Sequence, residues 1–279
     1  MSALTVSKED EKRVKGMGFL NNRGTDLFSA RVLTINGKVT AAQHRCMAEA
    51  AEKFGSGELL YTTRLSVEIP GIPYEKIDEF RAFIAKENLV TGGTGAKVRP
   101  VVSCKGTTCQ YGLLDSYAIS EEIYKRFYEG YRDIVLPHKF KIAVGGCPNN
   151  CVKPNLNDVG IIGQRIPKVD TDICKGCKKC AIEAACPNKV AKVVDGKSQL
   201  MRHSADTADA VLENVRSTQS KMVHMVIRFM SADAGGKKYQ KAEHSAKFLL
   251  PEKKHLMSLK KRFFFSGIME IKGNVLQKQ

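Results

Sequence analysis

Two stretches of similar pattern decide the interpretation of this chain: RPVVSCKGTTC at residues 99–109 and KFKIAVGGCPNNC at residues 139–151. In each, a short apolar run typical of a strand precedes two cysteines in a loop rich in small residues. Two such pairs can supply four thiolates to one iron–sulfur cubane, and the small residues let backbone amides approach its sulfides. Zinc ribbons prefer C-x2-C knuckles, so the C-x4-C and C-x3-C spacings favour a cluster over zinc or unliganded thiols.

A second group of cysteines follows further along the chain. It consists of Cys174, Cys177, Cys180 and Cys186, followed at once by Pro187. The spacing C-x2-C-x2-C-x5-C-P is that of a bacterial ferredoxin except that the last gap is two residues longer. It predicts a ferredoxin-type [4Fe–4S] cluster, with a zinc knuckle as the alternative. The ninth cysteine, Cys46, lies in an Ala-rich stretch and is expected to be a small buried apolar residue.

Composition excludes several classes of protein. The chain has 279 residues, 43% of them hydrophobic and 27% charged, so it is neither mostly disordered nor an integral membrane protein. No apolar run approaches the ~18–20 residues of a membrane span, and the start MSALTVSKEDEKRVKG lacks the apolar region of a secretory signal, which predicts a cytoplasmic protein. The formal net charge is +16, of which residues 197–279 carry +9.

The remaining pattern predicts an α+β protein. The predicted helices cover residues 40–54, 74–86 and 117–131. The predicted strands cover residues 28–35, 58–69, 99–103, 139–144 and 159–163. Their order indicates two α+β lobes, and Pro70 and Pro73 are expected to end the second of these strands.

These motifs resemble those of the sulfite and nitrite reductases that join a [4Fe–4S] cubane to a siroheme. The closer resemblance is to the short, single-repeat siroheme subunit of anaerobic or dissimilatory-type sulfite reductases, which carries a ferredoxin insert. That family has C-x5-C before C-x3-C, so the first spacing here is one residue shorter. The resemblance covers about residues 20–196: GELLYTTRLSVEIPGIP at 57–73 is similar to the family's ferredoxin-like half-domain, and the two cysteine stretches with NDVGIIG at 157–163 are similar to its catalytic half.

The resemblance implies the activity and the cofactors. The reaction would be the six-electron reduction of sulfite to sulfide, or of nitrite to ammonia, on a small inorganic anion. The cubane coupled to siroheme would be held by Cys104, Cys109, Cys147 and Cys151. The last of these, Cys151, would bridge the cluster to the siroheme iron through its thiolate.

The resemblance also implies a basic pocket for the anion. Its residues would be Arg64, Arg99, Lys139 and Lys141. Both lysines are expected to alternate on one strand and so to point to one face. Siroheme carries eight carboxylates, and Lys105, Lys153 and, more weakly, Arg165 are candidates to pair with them. His138 is either a proton donor or an ordinary loop residue.

The predicted organisation has five parts. They are a lead-in at 1–36, the ferredoxin-like half-domain at 37–96, the siroheme and [4Fe–4S] lobe at 97–167, a truncated ferredoxin-type insert at 168–196, and an irregular tail at 197–279. The tail does not match the family, and a shifted reading frame would explain it. In that frame positions 205, 208, 211 and 215 can become cysteines at ferredoxin spacing. The second cluster of the insert would then be lost from this chain.

The partners follow from what the chain lacks. There is no G-x-G-x-x-G after a strand, so electrons are expected from another polypeptide, either an electron-donor subunit or a ferredoxin. A single repeat implies a homo- or hetero-oligomer. Two other functions stay open: an iron–sulfur electron-transfer subunit without its own catalytic site, and a basic, metal-containing nucleic-acid-binding protein. The positive charge of the tail does not by itself predict a nucleic-acid-binding surface, so no nucleic-acid partner is expected.

Overall fold

A computed structural model describes residues 6–165, 174, 176–185, 189, 191–200 and 223–229. These residues form two α+β lobes, each with a four-stranded sheet and its own apolar core, and a small hairpin beside the second group of cysteines. The predicted α+β class is confirmed. Within these ranges, no helix is long and apolar enough to span a bilayer.

The first lobe is an antiparallel sheet in the order β1-β2-β4-β3. Its strands are β1 (Phe19–Asn21), β2 (Leu27–Val32), β3 (Leu60–Tyr61) and β4 (Val67–Pro73). Its helices are α1 (Lys8–Gly16), α2 (Ala41–Phe54) and α3 (Ile77–Ala85), the last preceded by a 3₁₀ turn at Tyr74–Lys76. Because β1 and β2 belong to this sheet, the segment predicted as a lead-in supplies two of its four strands.

Pro70 lies inside β4, so the predicted end of the strand is wrong there, whereas Pro73 is the last residue of β4. The register between β2 and β4 shifts between Phe28 and Ala30, which places Gly71, with φ +83°, at a bulge. Bulges tolerate proline because they already lack regular ladder hydrogen bonds. The predicted strand at 58–69 is instead interrupted earlier, in the turn where Leu65 has φ +58°.

The second lobe has the sheet order β10-β7-β6-β5. Its strands are β5 (Val102–Ser103), β6 (Ile142–Gly145), β7 (Val159–Arg165) and β10 (Val223–Phe229). The first three are parallel, and β10 runs antiparallel to β7. Helix α4 (Ser116–Ile123) continues as a π-helical segment at Tyr124–Glu129, and this unit covers the sheet through the core of the lobe.

Regular structure extends beyond residue 196, where an irregular tail is predicted from the sequence. Strands β8 (Ala191–Val194) and β9 (Lys197–Leu200) form a hairpin, with α5 (Ala181–Ala185) before it. Its turn, Asp195-Gly196, has positive φ at both positions, as a type I′ turn requires. Strand β10 is rich in β-branched residues, which suits a strand. Residues 205–215 lie outside the described ranges, and the reading-frame hypothesis stays a prediction.

The two lobes contact each other through polar groups as well as packing. Lys38 of the first lobe pairs with Glu121 on α4 at 2.7 Å. Arg64 reaches across to the second lobe and donates to the Pro100 carbonyl at 2.6 Å. An ion pair and a hydrogen bond therefore connect side chains of the first lobe to the second lobe.

Candidate functional site

The first four cysteines lie at the carboxyl ends of two neighbouring parallel strands. Strands β5 and β6 pair in parallel, with Ser103 opposite Val144. Cys104 therefore follows β5 directly, and its N–H continues the ladder by donating to the Val144 carbonyl at 3.1 Å. Cys147 follows β6 two residues after its end. Parallel strands end at the same edge of a sheet, which is why these distant cysteine pairs meet.

A contact between two glycines holds the cysteine loops together. A Cβ added to Gly106 would lie 2.8 Å from the Cα of Gly146, and a Cβ added to Gly146 would lie 2.8 Å from the Cα of Gly106. Any side chain at either position would push the loops apart. The approach also brings the Gly146 N–H to 3.1 Å from the Cys104 sulfur, to which it donates. Backbone N–H donors to sulfur are typical of cluster sites.

One of the four thiols, that of Cys147, responds to the charges of the other three. Burial raises the pKa of the Cys147 thiol, and the charges of Cys104, Cys151 and Cys109 raise it further. Four thiolates gathered in this way repel each other unless a cationic group offsets their charge. Cys151 is exposed, whereas the other three thiols are half-buried.

The zinc alternative finds no support in this arrangement. A zinc site needs its ligand atoms within about 2.0–2.3 Å of one point. Across the described ranges, no three His, Cys, Asp or Glu side chains are grouped so that they could hold a single metal ion.

A cluster of cations lies at the opposite end of the same strands. Burial lowers the pKa of Lys141, and the charges of Lys139, Arg64 and Arg99 lower it further. The four predicted basic residues are therefore close together. Arg99 and Lys141 precede β5 and β6, whereas the cysteines follow these strands. A strand rises about 3.3 Å per residue, so the length of β6 separates the cations from the thiols by about 13 Å.

Arg64 is the most deeply placed of these cations. Its guanidinium donates to the Asn157 side-chain oxygen at 3.0 Å and to the Pro100 carbonyl at 2.6 Å. Burial, with the neighbouring charge of Arg99, lowers the pKa of Arg64 to about 10. The group stays charged at neutral pH, but the site disfavours that charge in the absence of an anion.

The two lysines lie just before β6, one on each side of Phe140, which forms an isolated parallel bridge with Val98. The N–H of Lys141 donates to the Asp158 carboxylate at 2.8 Å in place of a strand partner. Lys139 is exposed, and Lys141 is half-buried.

Arg31 is a fifth member of this cation cluster, and it is absent from the basic pocket predicted from the sequence. It lies on β2 directly opposite Glu68 on β4, and its Nε donates to that carboxylate at 2.8 Å. Its charge lowers the pKa values of Arg64 and Arg99. The signal that could have revealed it is a single charged residue between buried apolar neighbours on a strand.

Two buried donors make the cation cluster fit an anionic group. In the described part of the chain, the Nε–H groups of Arg64 and Arg99 are buried without a hydrogen-bond partner. A buried, unpaired donor is destabilising, so such groups usually mark a place where an absent acceptor binds. The carboxylates of siroheme or a small oxyanion have the charge and acceptor oxygens that these donors need.

The other candidates lie outside the cation cluster. Lys105 and Lys153 are exposed in the cysteine loops, the latter with φ +46°. Arg165 is the last residue of β7, and its side chain lies outside the described residues. His138 is exposed in a loop. His44 contacts the Tyr61 hydroxyl at 2.6 Å on the first lobe.

In the insert, one cysteine sulfur, that of Cys174, accepts hydrogen bonds from the backbone. The Ser198 N–H of β9 donates to the Cys174 sulfur at 3.5 Å and, with the N–H of Gly176, lowers the pKa of that thiol. Cys177 is exposed and Cys180 is half-buried. Cys186 lies outside the described residues. The insert leaves the sheet after Arg165, at the same edge as the first four cysteines.

Comparison with known proteins identifies the family. The family model described as the nitrite and sulphite reductase 4Fe-4S domain matches residues 94–261, which is more than half of the chain. The chain belongs to this family. A second model, the nitrite/sulfite reductase ferredoxin-like half domain, matches residues 21–86. The family implies a [4Fe–4S] cluster together with siroheme, and its 4Fe–4S domain model extends across part of the segment predicted as a non-matching tail.

Individual proteins similar to this chain are also named as sulfite reductases. The coenzyme F420-dependent sulfite reductase of Methanocaldococcus jannaschii is 34% identical over 134 residues, covering 48% of this chain and 21% of that protein. A subunit of the anaerobic sulfite reductase of Salmonella typhimurium is 30% identical over 174 residues, covering 57% of this chain and 49% of that protein. The chain thus spans about half or less of these relatives. A dissimilatory sulfite reductase I structure shares the fold, with a TM-score of 0.56, 18% identity and coverage of 88% of this chain and 69% of that one.

The glycine contact yields a direct prediction about cluster binding. Gly146→Ala places a Cβ against Gly106, so we expect a loss of about 1–3 kcal/mol in stability from overpacking and a loss of most cluster iron. Iron and acid-labile sulfide are measured after anaerobic reconstitution in a background where Cys174, Cys177 and Cys180 are serines. Gly16→Ala, where an added Cβ meets nothing within 4 Å, is the control. Full iron content in Gly146→Ala would contradict this role of the glycine contact.

Proposed function

We propose that this chain is the catalytic subunit of a siroheme-dependent sulfite reductase, which reduces sulfite to sulfide, with nitrite as the second candidate substrate. The observation that carries the proposal is the meeting of four thiols at the carboxyl ends of β5 and β6 in a chain of this family. The cation cluster at the other end of these strands supports an anionic substrate. The preference for sulfite rests on the sulfite reductases among the relatives.

The four thiols have distinct proposed roles. Cys104, Cys109 and Cys147 are half-buried and would ligate only the cubane. Cys151 is exposed, which suits a thiolate that must also reach a second group outside the cluster. When bound, siroheme would supply the iron that binds the anion and receives electrons from the cubane. Lys105 and Lys153, exposed beside these thiols, are proposed partners for its carboxylates.

The cation cluster would bind the anion and supply protons. Arg64 and Arg99 present fixed N–H forks that match oxyanion geometry. Lys141 has a lowered pKa because of burial and its cationic neighbours, so it releases a proton more readily than an exposed lysine does. Lys139 adds positive charge from the exposed side. Each reduction consumes several protons. Lys141, which is half-buried, can be reprotonated through Lys139, which is exposed.

The separation of thiols and cations indicates a two-copy active site. Within one chain the two groups flank opposite ends of β6. We propose that the thiol edge of one copy, or of a related subunit, meets the cation edge of another, so that a complete site forms between them. Relatives that are named as subunits are consistent with such an assembly.

Electron supply and location complete the proposal. The insert, with Cys174, Cys177 and Cys180, would pass electrons from a donor subunit or ferredoxin to the four-thiol cluster, since it leaves the sheet at that edge. The donor itself and a cytoplasmic location are parts of this proposal.

The function is tested on the anaerobically purified full chain, reconstituted with iron, sulfide and siroheme. We expect a Soret band and a red band of the macrocycle, together with oxidation of a reduced dye that depends on sulfite or nitrite. Cluster absorbance without macrocycle bands would instead indicate an electron-transfer subunit. A pale, iron-free product would contradict the proposal.

The role of Lys141 gives a prediction about rate and pH. Lys141→Met should lower turnover about 100-fold or more, because it removes a proton donor, and should leave siroheme content unchanged. In the unmodified enzyme, activity is lost as pH rises through the lowered pKa of Lys141, since the protonated form is needed. Lys141→Arg keeps the charge but holds its proton, so it should retain anion binding while turnover stays low. The control is Lys76→Met, which breaks an exposed ion pair on the first lobe. Unchanged turnover in Lys141→Met would show that Lys141 has no part in the mechanism.

The two-copy site gives a complementation prediction. Cys147→Ser removes a thiol and Lys141→Met removes a cation, so each variant alone should be inactive. In a random mixture reassembled from both, about half of the dimers are mixed, and one of their two sites is intact, which gives about a quarter of the unmodified activity. Recovery is measured as turnover per protein chain. Absence of any recovery in a mixture that demonstrably exchanges subunits would argue for a site within one chain.

A further inference from the structure

One peptide carbonyl receives two of the arginines in the cation cluster. The Gly93 oxygen accepts from Nη1 of Arg31 at 3.3 Å and also from Nη1 of Arg99. Two guanidinium groups placed this close repel each other, and the charge of Arg31 adds to burial in lowering the pKa of Arg99. The partial negative charge of the carbonyl offsets that repulsion. The position of Gly93 therefore decides where both guanidinium groups lie.

The loop around Gly93 is held on its first-lobe side by the backbone of that lobe. The Gly92 N–H donates to the Arg31 carbonyl at 3.1 Å, and the Thr91 hydroxyl donates to the Met17 carbonyl at 2.7 Å. Gly93 itself has φ +72°, a conformation that glycine adopts without strain. These contacts fix the start of the loop, but none of them involves the N–H of Gly93.

The second lobe supplies a partner for that N–H through Tyr128. The Gly93 N–H donates to the Tyr128 hydroxyl at 3.1 Å, in a buried contact between residues 35 positions apart. The fit is close on both sides: a Cβ added to Gly92 would lie 2.8 Å from that hydroxyl, and one added to Gly93 would lie 2.8 Å from the ring of Pro100. Tyr128 is only 4% exposed, so water does not compete freely for this hydrogen bond.

The surroundings of Tyr128 make it a rigid support. Its ring stacks on Tyr124 with centroids 4.8 Å apart, one turn earlier in the π-helical segment. Burial raises the pKa of the Tyr128 hydroxyl, which keeps it neutral at ordinary pH. π-Helical turns often occur at functional sites, where they redirect a side chain within a helix.

We propose that Tyr128 is a positioning residue for anion binding: it holds Gly93, whose carbonyl holds Arg31 and Arg99 in place. The inference rests on the proposed function, because Arg99 binds the anion there and Arg31 is its charged neighbour. Tyr128 itself touches neither anion nor cofactor in this role. Its removal should loosen the pair of arginines while leaving the cysteine sites intact.

The test compares Tyr128→Phe with Tyr124→Phe in the full, siroheme-loaded chain. Both variants remove one hydroxyl from the same stack, but only the first removes the hydrogen bond to Gly93. Loss of one buried hydrogen bond predicts about 10-fold faster amide hydrogen exchange at Gly93 and a KM for sulfite raised about 3- to 10-fold. The siroheme and iron contents and the visible spectrum should stay as in the unmodified chain.

The outcomes separate this inference from the proposed function. If Gly93 exchanges at the same rate in Tyr128→Phe as in Tyr124→Phe, or if KM rises equally in both, the positioning role is wrong even though the unmodified enzyme is active. If the unmodified chain turns over neither sulfite nor nitrite, the proposed function fails, while the exchange rate at Gly93 still decides whether Tyr128 holds the loop. Faster exchange and a raised KM only in Tyr128→Phe would support the inference.

Discussion

The contact between Gly106 and Gly146 is the constraint on which the proposed cofactor site depends. It allows two loops from distant parts of the sequence to approach until a backbone N–H reaches the Cys104 sulfur. Ser116 reinforces the first loop, because its hydroxyl donates to the Cys104 carbonyl at 2.9 Å and accepts from Thr107. The close backbone contact limits how far the loops that carry Cys104 and Cys147 can move apart. That rigidity is what a cluster site needs, since geometry is imposed by the protein.

The cation end of the sheet is built on a different balance. Its charges repel each other, and burial makes each harder to keep ionised, as the lowered pKa values of Arg64 and Lys141 show. The opposing forces come from carbonyl oxygens and from the carboxylates of Glu68 and Asp158. Five cations facing these two acids leave an excess of positive charge. In the proposed function an anion would offset that excess, and the repulsion among the cations would thus favour its binding.

The sequence predicts those features that depend on local pattern. The helix that ends at Phe54 is one of them, and the grouping of two cysteines in each loop is another. Both are determined by residues that are neighbours in the sequence. The features that it does not reveal depend on partners far along the chain. Arg31 pairs with Glu68 on another strand, and the N–H of Lys141 donates to the carboxylate of Asp158. Neither partner can be recognised from its own neighbourhood in the sequence.

Strand direction explains why the chemistry is divided between two edges. Strands β5, β6 and β7 are parallel. The residues directly after each strand therefore lie at one edge of the sheet, and the residues directly before each strand lie at the opposite edge. The chain leaves for the insert after Arg165 and re-enters at Val223, directly opposite it, so the insert departs from and returns to the cysteine edge. The described cysteines that follow these strands therefore share one edge, and the basic residues that precede the strands lie at the other. An assembly that joins the cysteine edge of one copy to the cation edge of the next would let electrons and anions approach the site from different sides, and neither path would block the other.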